Sequence, residues 1–256
     1  MENYLLINLR DILFLLISIV KMLMINVANS IILSFSAEVN AAIIACIASV
    51  IAAFISIYQT VISRRDNKKN ITRVDLLQSK QIFETKLDEF FIPLRHHLEN
   101  SKTLFKILKK GKPATFRTLT HLLNKKQIYP DTNQKLKLNK NDISLIKAII
   151  KIGKKIEQLI HDKSYLIGDD TEFVKEYIPR PGYDNLPYEQ DMTLLSLLAS
   201  HLVTIRMAFN DDLSGQRNNF EGFVFPNEIN VRVNEKIIEL ETKISSIEAQ
   251  ILKLNK

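Results

Sequence analysis

Five histidines, a single cysteine and two adjacent aspartate pairs are the side chains best suited to acid–base, nucleophilic or metal chemistry in this chain. Their spacing works against all three. His96 and His97 are neighbours, so on a helix their rings point about 100° apart and do not share a metal ion. His121 and His161 stand alone in basic surroundings. His201 lies in an apolar stretch with Arg206 nearby, which suits a hydrogen-bonded core imidazole. Asp169-Asp170 and Asp211-Asp212 adjoin expected turns, where helix capping and solvation account for them. Cys46 sits inside an apolar run, so neither a disulfide nor a cysteine metal site forms within one chain. The sequence holds no phosphate-cradling glycine loop, no histidine pair framing a glutamate on a helix and no nucleophile elbow. The expectation is a protein that is not an enzyme, with no catalytic residue, no metal and no cofactor.

Lysine is the other chemistry-bearing type. Lys102, Lys106, Lys109, Lys110 and Lys112 cluster toward a helix end, where the dipole favours cations. Lys125, Lys126, Lys135, Lys137 and Lys140 follow. With a net charge of +7, these runs suit a solvated or lipid-facing surface first, since anionic inner leaflets attract basic segments. Phosphate-backbone contact is the second reading. Few aromatic residues are interleaved, so a stacking platform for single strands is poorly supported.

The elements that carry these residues begin in a membrane. Residues 41–63 hold no charged side chain, and Arg64, Arg65, Lys68 and Lys69 follow at once. A bilayer core of about 30 Å needs about 20 apolar residues in a helix, and cytoplasmic flanks carry the excess of Lys and Arg. Residues 12–35 form a second apolar stretch, in which Lys21 costs roughly 2.5–3.5 kcal/mol on insertion. On a helical wheel Asp11, Ser18 and Asn29 align, with Lys21 and Asn26 on either side. Such a polar stripe should face protein or water. The short loop between the stretches carries only Glu38. The expectation is a transmembrane helical hairpin with both chain ends in the cytoplasm; a surface-lying helix followed by one span competes with it. A cleaved signal peptide suits the N-terminus less, because Glu2 replaces an early basic residue. Within the second span Ala41, Ala45, Ala48, Ser49, Ala52 and Ser56 make a stripe of small side chains, and Ile44, Ile47, Ile51, Ile55 and Tyr58 make a bulky one. Small residues four apart let helix backbones approach, whether with the first span or with another subunit.

Beyond residue 63 the periodic segments are helical. Six Gly and seven Pro leave few turn signals for a many-stranded fold, so the fold class is all-α. Apolar residues recur at helical spacing over 71–108, where Pro93 is expected to kink or divide the helix. The Lys-rich connector 124–140 is expected to be mobile. Asn141 or Asp142 is expected to cap the next helix, which runs through Ile146, Ile149 and Ile156. Residues 192–209 are apolar on most sides and predict a buried central helix. In the last segment Val233, Ile237, Leu240, Ile244, Ile247, Ile251 and Leu254 alternate steps of four and three. That heptad predicts self-association as a parallel coiled coil, with Lys236 facing Glu241 and Lys243 facing Glu248 of a second copy; packing on the chain's own domain is the other reading. The expected division is a membrane region 1–63, a cytoplasmic helical domain 64–226 and a coiled-coil helix 227–256.

In layout the chain resembles small bacterial membrane effectors of phage defence, notably the two-transmembrane effector encoded with some retrons. The helical hairpin, the basic flank from Arg64 to Lys69 and the all-helical cytoplasmic domain carry the resemblance. The stretch Phe223-Val224-Phe225-Pro226 leading into Ile229 is also similar to bacterial membrane proteins of this size. The resemblance implies an inner-membrane protein held inactive by a reverse transcriptase and its RNA–DNA product. On release it would damage the inner membrane and stop growth of the infected cell. No functional residue carries over. The alternative is a non-toxic membrane-anchored scaffold or adaptor that recruits a cytoplasmic partner.

Overall fold

The computed structural model of the chain describes residues 18, 21–22, 25, 37–124, 128–130, 134–168, 170–182, 192–213 and 224–254. The described residues are helical apart from loops and one two-stranded hairpin. They divide into two compact units, Met1–Thr72 and Arg73–Lys256.

Helix α1 (Ala37–Lys86) runs for 50 residues, and the unit boundary falls within it. It contains no Gly or Pro, so nothing in its sequence breaks the hydrogen-bond ladder. Ser18, Lys21, Met22 and Ile25 are also helical and exposed. Asp11, Asn26 and Asn29 of the expected polar stripe lie outside the described residues, as does most of the first apolar stretch.

In the second unit the chain stays helical across Pro93, which does not divide it. The turn Leu87–Phe91 widens into a π-helix, with the Ile92 N–H donating to the Leu87 carbonyl five residues back, and α2 (Ile92–Lys109) follows without a gap. A widened turn relieves the ladder just before the residue that lacks a donor. It also turns two consecutive phenylalanines inward: Phe90 and Phe91 are both fully buried, their rings edge to face at 5.1 Å.

The connector expected to be mobile is partly ordered. After α3 (Thr118–Leu123), strands β1 (Ile128–Tyr129) and β2 (Gln134–Lys135) pair antiparallel. Tyr129 is fully buried beside Phe116 and His121, with its hydroxyl 2.9 Å from His121 Nδ1. One aromatic with a partnered hydroxyl outweighs the weak propensity of its lysine-rich neighbours.

Helix α4 (Lys140–Lys163) starts two or three residues earlier than expected. Asn139 is the cap: its side chain accepts from the Asp142 N–H at 2.9 Å, and the Asp142 carboxylate accepts from the Asn139 N–H at 3.0 Å. Asp142 is thus the third residue of a capping box rather than the cap. A short 3₁₀ turn (Ser164–Leu166), α5 (Thr171–Val174, capped by Asp170), α6 (Leu194–Phe209, capped by Thr193) and α7 (Glu228–Leu254) complete the unit.

Helix α6 is buried along most of its circumference, as its apolar sequence predicts. It packs against α4 at Gly153, where an added Cβ would stand 3.2 Å from Leu202 Cδ2. The core has two parts. One joins Leu87, Phe91, Leu94, Leu98, Phe173 and Leu198 with Ile229, Val233, Ile237 and Leu240 of α7. The other gathers Leu108, Phe116, Leu122, Tyr129, Ile146 and Ile205.

Candidate functional site

Among the described residues, one helix is long and apolar enough to cross a membrane. Its run 41–63 would measure roughly 34 Å at 1.5 Å per residue, matching a hydrocarbon core. No part of its most apolar stretch is buried in the protein. Ile44, Ile55 and Ile57 stay 58%, 52% and 60% exposed. In water each such side chain forgoes roughly half of the 1.5–3 kcal/mol that full burial contributes, so this surface calls for a nonpolar surrounding. The polar atoms of the run suit one. The Ser49 hydroxyl donates to the Ala45 carbonyl and the Thr60 hydroxyl to the Ser56 carbonyl, each at 2.8 Å. Neither donor would enter lipid unsatisfied.

The small-residue positions Ala41, Ala45, Ala48, Ser49, Ala52 and Ser56 are all exposed on this helix. Arg64, Arg65 and Lys68 are exposed and Lys69 half-buried, and the helix continues unbroken through them. The basic flank is therefore helical, with its charges at fixed angles around the axis.

The heptad positions are used differently from a two-stranded coil. Val233, Ile237 and Leu240 are at most 1% exposed, inside the core that contains Leu87 and Phe91. Ile247 is buried, and Ile244, Ile251 and Leu254 are half-buried. The flanking charges are also engaged within the chain. Lys236 pairs with Asp170 at 2.5 Å and Glu239 at 2.9 Å, Lys243 with Glu239, and Glu248 with Lys80 at 2.7 Å. Burial alone would lower the Lys236 ammonium, but its hydrogen bonds to Asp170 and Glu239 hold it above the ordinary lysine value.

The first turn of α7 carries the densest polar cluster among the described residues. Glu228 is fully buried. It accepts from the Tyr177 hydroxyl and from Arg232 Nε at 2.8 Å, and stands 3.3 Å from both the N–H and Nε of Arg180. Arg180 forks onto Glu235 at 2.8 and 2.6 Å, and Arg232 reaches Glu172 at 2.5 Å. The Arg180 hydrogen bonds hold the Glu235 carboxyl below its usual range and raise the guanidinium further. This network ties the segment after α5 to α7. Sequence reading missed it, because nothing local marks a glutamate between Asn227 and Ile229 as a core residue.

Helix α4 presents a second feature that sequence reading passed over. Lys140, Lys147, Lys151, Lys154 and Lys155 are all exposed, and their steps of seven, four, three and one keep them within a face about 100° wide. Of the three carboxylates of this helix, Asp162 is exposed on the same face near its end, and the other two are drawn elsewhere. Asp142 pairs with Lys112 at 2.6 Å, and Glu157 with Arg206 at 2.6 Å. The spacing was legible in the sequence; the diversion of Asp142 and Glu157 was not.

The histidines lie apart. His96 is exposed on α2, and His97 is half-buried, with burial first and then Lys155 and His96 lowering its pKa. His121 is buried beside Tyr129, and His201 is buried with its ring edge-on to Phe225 at 5.5 Å. His161 is exposed near the end of α4. Among the described residues no three His, Cys, Asp or Glu side chains come together as a metal site. No protein family, curated protein or solved structure matches this chain.

Proposed function

We propose that the chain is a membrane-anchored effector of bacterial phage defence, which perturbs the inner membrane when its partners release it. The observation that carries the anchoring is the apolar run of α1, none of it buried in the protein, followed without a break by Arg64, Arg65, Lys68 and Lys69. In this reading residues 12–35 and 41–63 form a hairpin, and everything after residue 63 lies on the inner side. The effector role rests on the retron-type layout and on two features of the spans. One is the polar stripe of Asp11, Ser18, Lys21, Asn26 and Asn29. The other is the exposed small-residue face of α1, which a leaky assembly of several copies could use. Self-association through α7 would have to use its last turns, where Ile251 and Leu254 remain half-exposed, since Val233, Ile237 and Leu240 are occupied in the core. The lysine face of α4 supports a polyanionic partner, such as the RNA–DNA product that the resemblance implies.

Expression without partners should collapse the membrane potential and admit a membrane-impermeant dye. Lys21→Leu combined with Asn29→Leu should abolish both effects. Normal potential under strong expression would sink the proposal, as would toxicity unchanged by the double substitution. The scaffold reading is favoured by one observation: the Arg73–Lys256 unit has its own packed core. Exchanging the hairpin for an unrelated two-span anchor separates the two, since a scaffold keeps working and a membrane-disrupting effector does not.

A further inference from the structure

Helix α1 keeps one side exposed and uncharged from residue 42 to residue 81. Counted in heptads with Asn67, Val74 and Gln81 at position a, position d holds Ser63, Asn70 and Leu77. The same register runs back to residue 42 through Ala, Ser, Cys and Thr alone. All twelve a and d residues are exposed, and none is charged. Eight charged residues lie between Arg64 and Gln81, and every one falls at another position. Glu84, at the next d position, ends the register. The opposite side of the helix is already in use. Leu76, Ser79 and Phe83 are half-buried there, Lys80 pairs with Glu248 at 2.7 Å, and Lys243 stands 5.5 Å from the Phe83 ring. On the clear side Val74 is 60% and Leu77 46% exposed, and Ile71, at the flanking e position, is 63% exposed.

A second copy of the chain suits this side better than an unrelated partner. Copies anchored in one membrane by the same run stand parallel, so α1 meets α1 with each a or d residue beside its own counterpart. A charge at such a position would face itself and repel. A foreign partner instead gains specificity from charges set against its own. Asn at an a position, as at Asn67, fixes the parallel register of a two-stranded pair. Residue g of one helix lies near residue e five places on in the other. Asp66 then meets Ile71 and Arg73 meets Gln78, so no like charges oppose one another. One third of the surface of a helix about 10 Å across and about 58 Å long is roughly 600 Å². A pair would therefore bury ~1,200 Å², the lower edge of stable interfaces.

We propose that two copies pair in parallel along the a and d face of α1, with Asn67, Asn70, Val74 and Leu77 as the part of the contact outside the apolar run. Self-association then belongs to α1 rather than to α7, which spends Val233, Ile237 and Leu240 on the core. The inference rests on the membrane anchoring proposed above, which sets the copies parallel. It holds for an effector and for a scaffold alike.

The test is cysteine cross-linking of the full-length chain in isolated inner-membrane vesicles, with Cys46→Ala as the background. On mild oxidation Asn70→Cys, Val74→Cys and Leu77→Cys should each give a disulfide-linked dimer. The yield should be at least about fivefold above that of Thr72→Cys, which is exposed away from the a and d face. Val74→Glu combined with Leu77→Glu should cut the Asn70→Cys yield about tenfold, because like charges then face each other. Both side chains are exposed in the single chain, so its helical domain should melt unchanged, which separates lost pairing from lost folding. A carbonate wash that strips the chain from the vesicles overturns the anchoring and the pairing together. An integral chain that forms no dimer at these positions overturns the pairing alone. So does a Thr72→Cys yield equal to theirs, or a dimer that survives the double substitution.

Discussion

Replacing Glu228 with alanine should unfold the helical domain well below its normal melting temperature. Glu228 has no solvent exposure, yet it accepts from the Tyr177 hydroxyl and pairs with Arg232 and Arg180. Arg232 is itself only 13% exposed at its side chain. Removing the carboxylate therefore leaves the buried Tyr177 phenol without this acceptor and the largely buried Arg232 guanidinium with Glu172 alone, instead of handing them to water. Losing one partner of such a pair costs about 3–5 kcal/mol. In a unit the size of Arg73–Lys256, each kcal/mol lowers the melting temperature by about 2–4 °C, so the expected drop is roughly 6–20 °C. The chain has no tryptophan, so far-UV circular dichroism of the full-length protein in detergent is the suitable readout. Glu235→Ala is the internal comparison. It removes the two short hydrogen bonds from Arg180, but both side chains are over a third exposed, and such pairs are worth about 0–1 kcal/mol. A Glu228→Ala melt no lower than the Glu235→Ala melt would refute the claim that burial, not charge pairing as such, makes this network a lock.

The remaining predictions use the same melts. Gly153→Leu should destabilise by about 1–3 kcal/mol through overpacking against Leu202. Gly153→Ala should be close to neutral, because the 3.2 Å contact is with the mobile end of Leu202 and helix propensity gains about 1 kcal/mol. Burial pushes the Asp142 carboxyl up, but hydrogen bonds from Lys112 and the Asn139 N–H outweigh it and leave the pKa below the usual value. A depressed acid stabilises above its unfolded pKa of about 4 and ceases to as pH falls through the folded value. Asp142→Asn should therefore lower stability at neutral pH and flatten the acid limb of the melting curve. Thr118→Val should raise the melting temperature, because it removes a buried unsatisfied hydroxyl that costs about 1–3 kcal/mol.

Much of this architecture could be read from spacing. Periodicities near 3.6 located α2, α4, α6 and α7, and the apolar saturation of residues 194–209 marked the most buried helix. The boundaries were harder. Asn139 caps α4 because its side chain meets the Asp142 N–H, whereas the sequence pattern pointed to Asn141 or Asp142. Pro93 does not end the helix, because a π turn upstream takes up the distortion and is rewarded by burying Phe90 and Phe91 together. Tyr129 was overlooked because a single buried aromatic leaves no period.

The sequence by itself determined that α1 carries a bilayer-length apolar run beside a basic flank, since hydropathy and charge order are properties of the chain alone. It also determined that the remainder is helical, through short-range patterns that each residue shares with its near neighbours. Only the tertiary structure decided what the heptad face of α7 touches: the same a and d residues serve a second copy or the chain's own core, and Val233, Ile237 and Leu240 are in the core. Only it showed that Glu228 is buried and answered by Tyr177, Arg180 and Arg232, and that the Thr118 hydroxyl is not answered at all. Apart from the four-residue step from Glu228 to Arg232, those facts rest on pairings between residues about fifty positions apart or more, or on the absence of one, and no local pattern encodes which distant side chain arrives.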